Sequence, residues 1–353
     1  MYFGAATSSY QIEGGINNAD WSKFKDAGVA CDSWNKFSED VKLLKEIGCN
    51  AYRFSLEWSR IEPKEGIFDE KAIEKYATMA KTLKDNNIEH FITLWHFTLP
   101  QWLADKGGVL NNKFCYYFLR YIKKVVPLLS QDVTYFITVN EPTIYIEKGY
   151  LEKSWPPLEK NLYNCVKAYF ALIKTHNKSY RYIHSLCPQA KVSIAHGVNW
   201  HYGHNFLGKI VAKAIHYFND TFFLSSLKLD YIGLNYYMRC HIKNLSYVGW
   251  NIYPEGLFFI LRSLNKYHLP IIITENGIAN SSDEKRADFI SQHLNIVKRA
   301  ISENINIQGY FHWSLLDNFE WAEGYKQKFG LATCDRILKP SAFIYKKLIA
   351  EFI

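Results

Sequence analysis

The chain has 353 residues, 48% hydrophobic and 22% charged, a balance that excludes a disordered or fibrous protein. Its net charge of +8 comes from lysines and arginines spread along the whole chain without a like-charge run, which reads as a solvated surface and argues against nucleic-acid binding. Seven cysteines without a CxxC pair argue against a disulfide framework or zinc knuckle, and no apolar run is long enough to span a membrane.

Short apolar or β-branched runs fall at 3–6, 51–55, 90–95, 135–139, 192–195, 231–234, 271–274 and 309–313. Between them lie helical patterns near 33–47, 69–86, 111–129, 160–186, 205–228, 254–267, 283–304 and 340–352. Buried parallel strands read as continuous apolar runs, as these do. Eight strands and eight helices in strict alternation, with no linker or repeat between them, predict one (β/α)8 barrel over residues 1–353. Asp69 ahead of Glu70 and Lys71 reads as a helix N-cap, and Pro340 as a helix start. Aromatic residues make up 16% of the chain. Most belong in the core, while those in Gly- and Pro-containing stretches suit stacking on sugar rings or nucleobases.

A barrel of this kind places its site at the C-terminal ends of the strands. Polar and aromatic residues follow seven of the eight apolar runs, among them Gln11, Arg53, His96, Asn140, Glu141, Asn235, Tyr237, Glu275 and Trp313. Glu141 and Glu275 each end an apolar strand beside an Asn. Partial desolvation there would shift their pKa values. Two such carboxyls suit glycoside hydrolysis, about 5 Å apart in a retaining enzyme. By themselves they also suit metal ligands, or a buried ion pair with Arg53.

The motifs narrow the choice. Asn140-Glu141-Pro142 and Thr274-Glu275-Asn276-Gly277 resemble glycoside hydrolase family 1, as do Ser8–Gly14, the stretch from Asn50 through Ser55, and Trp313–Trp321 continuing to Phe329-Gly330. The resemblance runs from residue 4 to about residue 342. It implies a retaining β-glycosidase with Glu275 as nucleophile, held by Arg53 and Tyr237, and Glu141 as acid/base. Asn140 would bond the sugar 2-hydroxyl. Gln11, His96, Glu320 and Trp321 would bind ring hydroxyls, with Asn235 in the same polar ring. Trp313 would form the stacking floor, and Phe329 would close the far side.

Relatives that cleave 6-phosphorylated sugars replace the glutamate that stands here as Glu320, so an unphosphorylated substrate is expected, without cofactor or metal. The expected partner is a small β-glycoside or oligosaccharide, with no nucleic acid and no membrane. Absence of a signal-peptide pattern and the unpaired cysteines point to the cytoplasm. A transglycosylase using the same residues, or a catalytically weak sugar-binding barrel, are the alternatives.

Three departures from the family pattern stand out. The segments between Glu13 and Arg53, Glu141 and Asn235, and Tyr237 and Glu275 are compact. The chain begins almost inside its first strand, which leaves the barrel floor in question. His196, His201 and His204 cluster after strand five, where a metal site is conceivable though no carboxylate lies nearby in sequence.

Overall fold

The eight apolar runs form eight parallel strands that close on themselves in the computed structural model, which describes residues 1–243, 246–280 and 283–352. The strands are β1 (Tyr2–Ala6), β2 (Ala51–Ser55), β3 (Glu89–Thr93), β4 (Tyr135–Asn140), β5 (Lys191–Gly197), β6 (Ile232–Asn235), β7 (Ile271–Asn276) and β8 (Ile307–Trp313). Each pairs with its sequence neighbour, and β1 closes the ring against β8 from Tyr2 opposite Gly309 to Ala6 opposite Trp313. The helices between them are α1 (Ser33–Ile47), α2 (Glu70–Asp85), α3 (Phe114–Leu129), α4 (Leu162–Leu186), α5 (Phe206–Ile215), α6 (Pro254–Leu264), α7 (Asp283–Ser302) and α8 (Pro340–Ala350). Asp69 caps α2 by accepting from the Ala72 amide at 3.0 Å, and Pro340 opens α8, both as the sequence predicts.

Side chains alternate across each strand, so one set meets the helices and the other fills the barrel. The inner set includes Ala6, Ala51, Phe91, Tyr135, Ile137, Ala195, Tyr231, Ile272, Phe311 and Trp313. Phe91 stacks on Tyr135 at 4.2 Å and meets Phe311 edge-on at 4.8 Å. Tyr2 packs edge-on against both Phe91 and Tyr135, so the floor is closed by rings rather than left open. A cavity of about 920 Å³ adjoins that floor, framed by Met1, Tyr2, Asn50, Asp132, Tyr135 and Gln308.

Two elements depart from the predicted pattern. The helix expected over 205–228 is α5 followed by a wider π turn, His216–Phe222, that swings Asp220 inward to bond His196 and His216. A three-stranded outer sheet, Trp200–Gly203, Arg239–Lys243 and Ser246–Asn251, lies outside the barrel and has no counterpart in the eightfold reading.

Candidate active site

Strand ends deliver the functional side chains to one rim, and the ladder is irregular where they emerge. Register shifts occur between Ile137 and Asn140 against β5, between Ile273 and Glu275 against β6, and between Ile273 and Asn276 against β8. Such bulges re-aim side chains at a barrel mouth. Glu141 follows directly, with φ of 41° and ψ of 56°, a left-handed conformation that a non-glycine residue adopts at a cost. Its amide is tied to the Ala195 carbonyl at 2.7 Å, and Pro142 opens the next helical turn. Gly197 makes room for the carboxyl, since a Cβ there would lie 2.9 Å from Glu141 Oε1.

Arg53 organises the centre. Fully buried on β2, it donates to Glu275 Oε1 at 2.5 Å, the Thr274 carbonyl at 3.2 Å, Asn140 Oδ1 at 2.6 Å and Thr93 Oγ1 at 3.1 Å. One guanidinium thereby locks together groups from β3, β4 and β7, which its planar fork of donors suits. Tyr237 donates its hydroxyl to the other Glu275 oxygen, Oε2, at 2.5 Å. Asn235 donates to Glu141 Oε1 at 2.9 Å while its own carbonyl accepts from Thr274 Oγ1 at 2.7 Å.

The two glutamates therefore stand in unlike surroundings. Burial, then the negative charge of Glu275, raises the Glu141 carboxyl to about 8, with only an amide as direct donor. Burial also raises Glu275, but there Arg53 opposes it first and the Tyr237 hydroxyl second. The surroundings thus favour the protonated form more at Glu141 than at Glu275, where a guanidinium and a hydroxyl support the charge.

Around this pair lies a ring of polar and aromatic groups. Gln11 is buried, held by the Ser8 hydroxyl at 2.7 Å and donating to the Phe319 carbonyl at 2.7 Å and to Glu320 Oε2 at 3.2 Å. Burial, then the Glu275 charge, raises Glu320 to about 8. Because Arg53 fixes Asn140 Oδ1 as acceptor, the Asn140 amide nitrogen donates to His96 Nε2 at 3.1 Å. That leaves the His96 proton on Nδ1, which is buried and has no hydrogen-bond partner among the described residues. Burial, then Arg53, keeps this imidazole neutral. Its ring lies nearly parallel to Trp313 and to Trp321, each at 5.9 Å, and Phe329 meets Tyr237 edge-on at 6.2 Å. All twelve residues singled out from the sequence belong to this rim or the loops directly behind it.

Three features are new. A cavity of about 450 Å³ opens beside Glu141, lined also by Thr143, Glu147, Asn199, His201, Asp220 and Asn235. Burial raises Glu147 there to about 7. Glu57, two residues beyond the Asn50–Ser55 motif, is fully buried and accepts from Ser59 and Thr98, tying the loops after β2 and β3 together. The strand-five histidines do have a carboxylate neighbour, contrary to the sequence expectation. His196 Nε2 reaches Asp220 Oδ1 at 3.2 Å, but His204 instead contacts His241 at 3.0 Å, and no group of three metal-binding side chains converges among the described residues.

Comparison with known proteins agrees with this geometry. The family model described as Glycosyl hydrolase family 1 matches residues 1–225 and 241–352. The 1,4-beta-D-glucan glucohydrolase of Thermotoga neapolitana is 31% identical over 428 aligned positions, covering 98% of this chain and 96% of that protein. The missing length of the shorter chain is thus internal, in agreement with its compact connecting segments. A beta-glycosidase from Pyrococcus horikoshii superposes with a TM-score of 0.93 at 32% identity, over 98% of this chain and 93% of that one. The beta-glucosidase of Thermotoga maritima in complex with glucoimidazole superposes with a TM-score of 0.92 at 28% identity, over 99% and 97%. The chain belongs to glycosyl hydrolase family 1 and is a retaining β-glycosidase of the β-glucosidase type.

Proposed function

We propose that Glu275 is the nucleophile and Glu141 the acid/base in the two-step hydrolysis of unphosphorylated β-D-glucosides, with β-galactosides and β-fucosides as further substrates. The observation that carries the assignment is the asymmetry of the pair: both oxygens of Glu275 are engaged by Arg53 and Tyr237, whereas Glu141 accepts, among the described residues, from the Asn235 amide alone. In the first step Glu141 gives its proton to the glycosidic oxygen as a Glu275 oxygen attacks the anomeric carbon and the bond to the leaving group breaks. Forming the ester removes the Glu275 charge, and Glu141, already deprotonated, then faces a weaker opposing field. It next takes a proton from water, whose oxygen displaces Glu275 and releases the sugar. A sugar hydroxyl in place of that water gives transglycosylation by the same residues.

Substrate positioning follows the polar ring. Asn140 contacts the sugar 2-hydroxyl, while His96 Nδ1, Gln11 and Glu320 take the other hydroxyls. Trp313 supplies the floor, Trp321 a further hydrogen bond, and Phe329 closes the side near position 6. Glu320 sets a carboxyl, not a cation, where a 6-phosphate would need a positive partner, which supports an unphosphorylated sugar. Gln11 and Glu320 serve either epimer at position 4.

Release of nitrophenol from the β-glucoside, β-galactoside, β-fucoside and 6-phospho-β-glucoside, measured beside the Glu275→Gln variant, tests the reading. Turnover of the first three, lost in the variant, supports it. Preference for the phosphorylated sugar, or a variant keeping more than a few per cent of the activity, contradicts it.

A further inference from the structure

The positive charge of the chain is not distributed as its lysines are. Residues 160–229 carry nine of the 42 lysines and arginines but one of the 34 acidic residues, so the rest of the chain has 33 of each sign and no net charge. The whole excess of +8 thus sits in one stretch, containing α4, β5, α5 and the π turn. The even spread expected from the sequence holds for the cations and fails for the acids.

All nine cations are exposed, and none forms an ion pair among the described residues, whereas lysines and arginines elsewhere are widely paired. The single acid, Asp220, is buried against His196 and His216. The same stretch holds twelve of the twenty-six exposed large apolar side chains in the described residues. On α5, Phe206, Lys209, Ile210 and Lys213 recur at helical spacing on the outer face, while Gly208 and Ala212 face inward. Phe206 is 81% exposed and Ile210 48%. On α4, Tyr163, Val166, Lys167, Phe170 and Lys174 repeat the pattern, with Tyr163 74% exposed. The Tyr169 hydroxyl donates to the Phe218 carbonyl at 2.7 Å, and its ring lies parallel to Phe222, so the α4 stripe and the exposed Tyr217 and Phe218 of the π turn adjoin.

We propose that this face of α4, α5 and the π turn docks on an anionic lipid surface. Lysines interleaved with protruding aromatic and aliphatic side chains are what an interfacial helix uses: apolar groups enter the acyl boundary while ammonium groups remain among the headgroups. A second copy of the chain is disfavoured, because a symmetric contact would set one unpaired lysine array against another. A protein partner fits less well too, since lysine is depleted at the cores of protein interfaces. No described helix is long and apolar enough to cross a membrane, so the contact is peripheral. It departs from the expectation of no membrane partner, which rested on the lack of a spanning run. The same π turn that exposes Phe218 also places Asn219 and Asp220 in the cavity beside Glu141, so docking would bring the cleft mouth near the surface.

Co-sedimentation of the full chain with vesicles tests this directly. Binding is expected to vesicles of phosphatidylcholine mixed with phosphatidylglycerol, not to phosphatidylcholine alone, with release at high salt. The Lys209→Glu/Lys213→Glu variant should bind roughly tenfold more weakly or worse. Phe206→Ser should weaken binding severalfold with the salt dependence retained. Neither should alter turnover of a soluble nitrophenyl glycoside, which also confirms folding. Parent protein that stays in the supernatant with anionic vesicles overturns the proposal. So does equal binding to both vesicle types, or variants that bind like the parent. A concentration-dependent dimer in sedimentation velocity, lost in Phe206→Ser, would assign the face to a second copy instead.

Discussion

Neutralising Glu275 should lower the pKa of Glu141. In the parent protein burial is the largest influence holding that carboxyl at about 8, and the Glu275 charge is the next. At the roughly 5 Å separation of a retaining pair, two unit charges in an effective dielectric of about 20 repel by about 3 kcal/mol, or about two pKa units. Arg53 acts on Glu141 in parent and variant alike, so its contribution cancels and Glu275→Gln should lower Glu141 by about two units. The burial contribution stays, which keeps the value above that of an ordinary glutamate. Carbon-13 NMR titration of glutamate-labelled protein reads it, with Glu141→Gln assigning the resonance. An unchanged or higher pKa in Glu275→Gln would refute the reasoning, because the change of Glu141 from acid to base would then need another origin.

Three further outcomes are expected. Glu141→Ala should slow substrates with poor leaving groups far more than activated aryl glycosides, because only a poor leaving group needs the proton; equal losses in kcat/KM would remove the acid role. Gly197→Ala would bring a methyl group within 2.9 Å of Glu141 Oε1, and should cut activity about tenfold or more with the circular-dichroism spectrum unchanged. Full activity would show that the carboxyl has room to move. For Glu320, the folded-state value of about 8 exceeds the ordinary 4.5, so its contribution to stability is present at acid pH and lost as pH rises through about 8. Glu320→Gln should therefore raise Tm relative to the parent above about pH 8 more than below about pH 5, and the reverse order would contradict the burial argument.

The barrel was legible because each of its strands is buried on both faces, and so reads as an apolar run such as Ala51–Ser55 or Ile271–Asn276. The outer sheet was not, because Trp200–Gly203 is short and half-exposed and pairs with Arg239–Lys243, far away in sequence. The candidate site was legible for a related reason: Asn140, Glu141 and Glu275 are polar residues at the ends of apolar strands. What no spacing could show was which carboxyl Arg53 would reach, since that depends on β2 and β7 facing one another across the barrel. The role of Asp220 was equally hidden. It lies 24 residues beyond His196, and only the wider π turn brings the two together.

The central claim is that Glu275 becomes covalently bonded to the sugar. Mass spectrometry after incubation with a 2-deoxy-2-fluoro-β-glucoside bearing an activated leaving group tests it most directly, because fluorine slows the second step and the intermediate accumulates. The account predicts one added fluorosugar per chain, on the peptide containing Glu275. A label on Glu141, or turnover with inversion and no adduct, would contradict it.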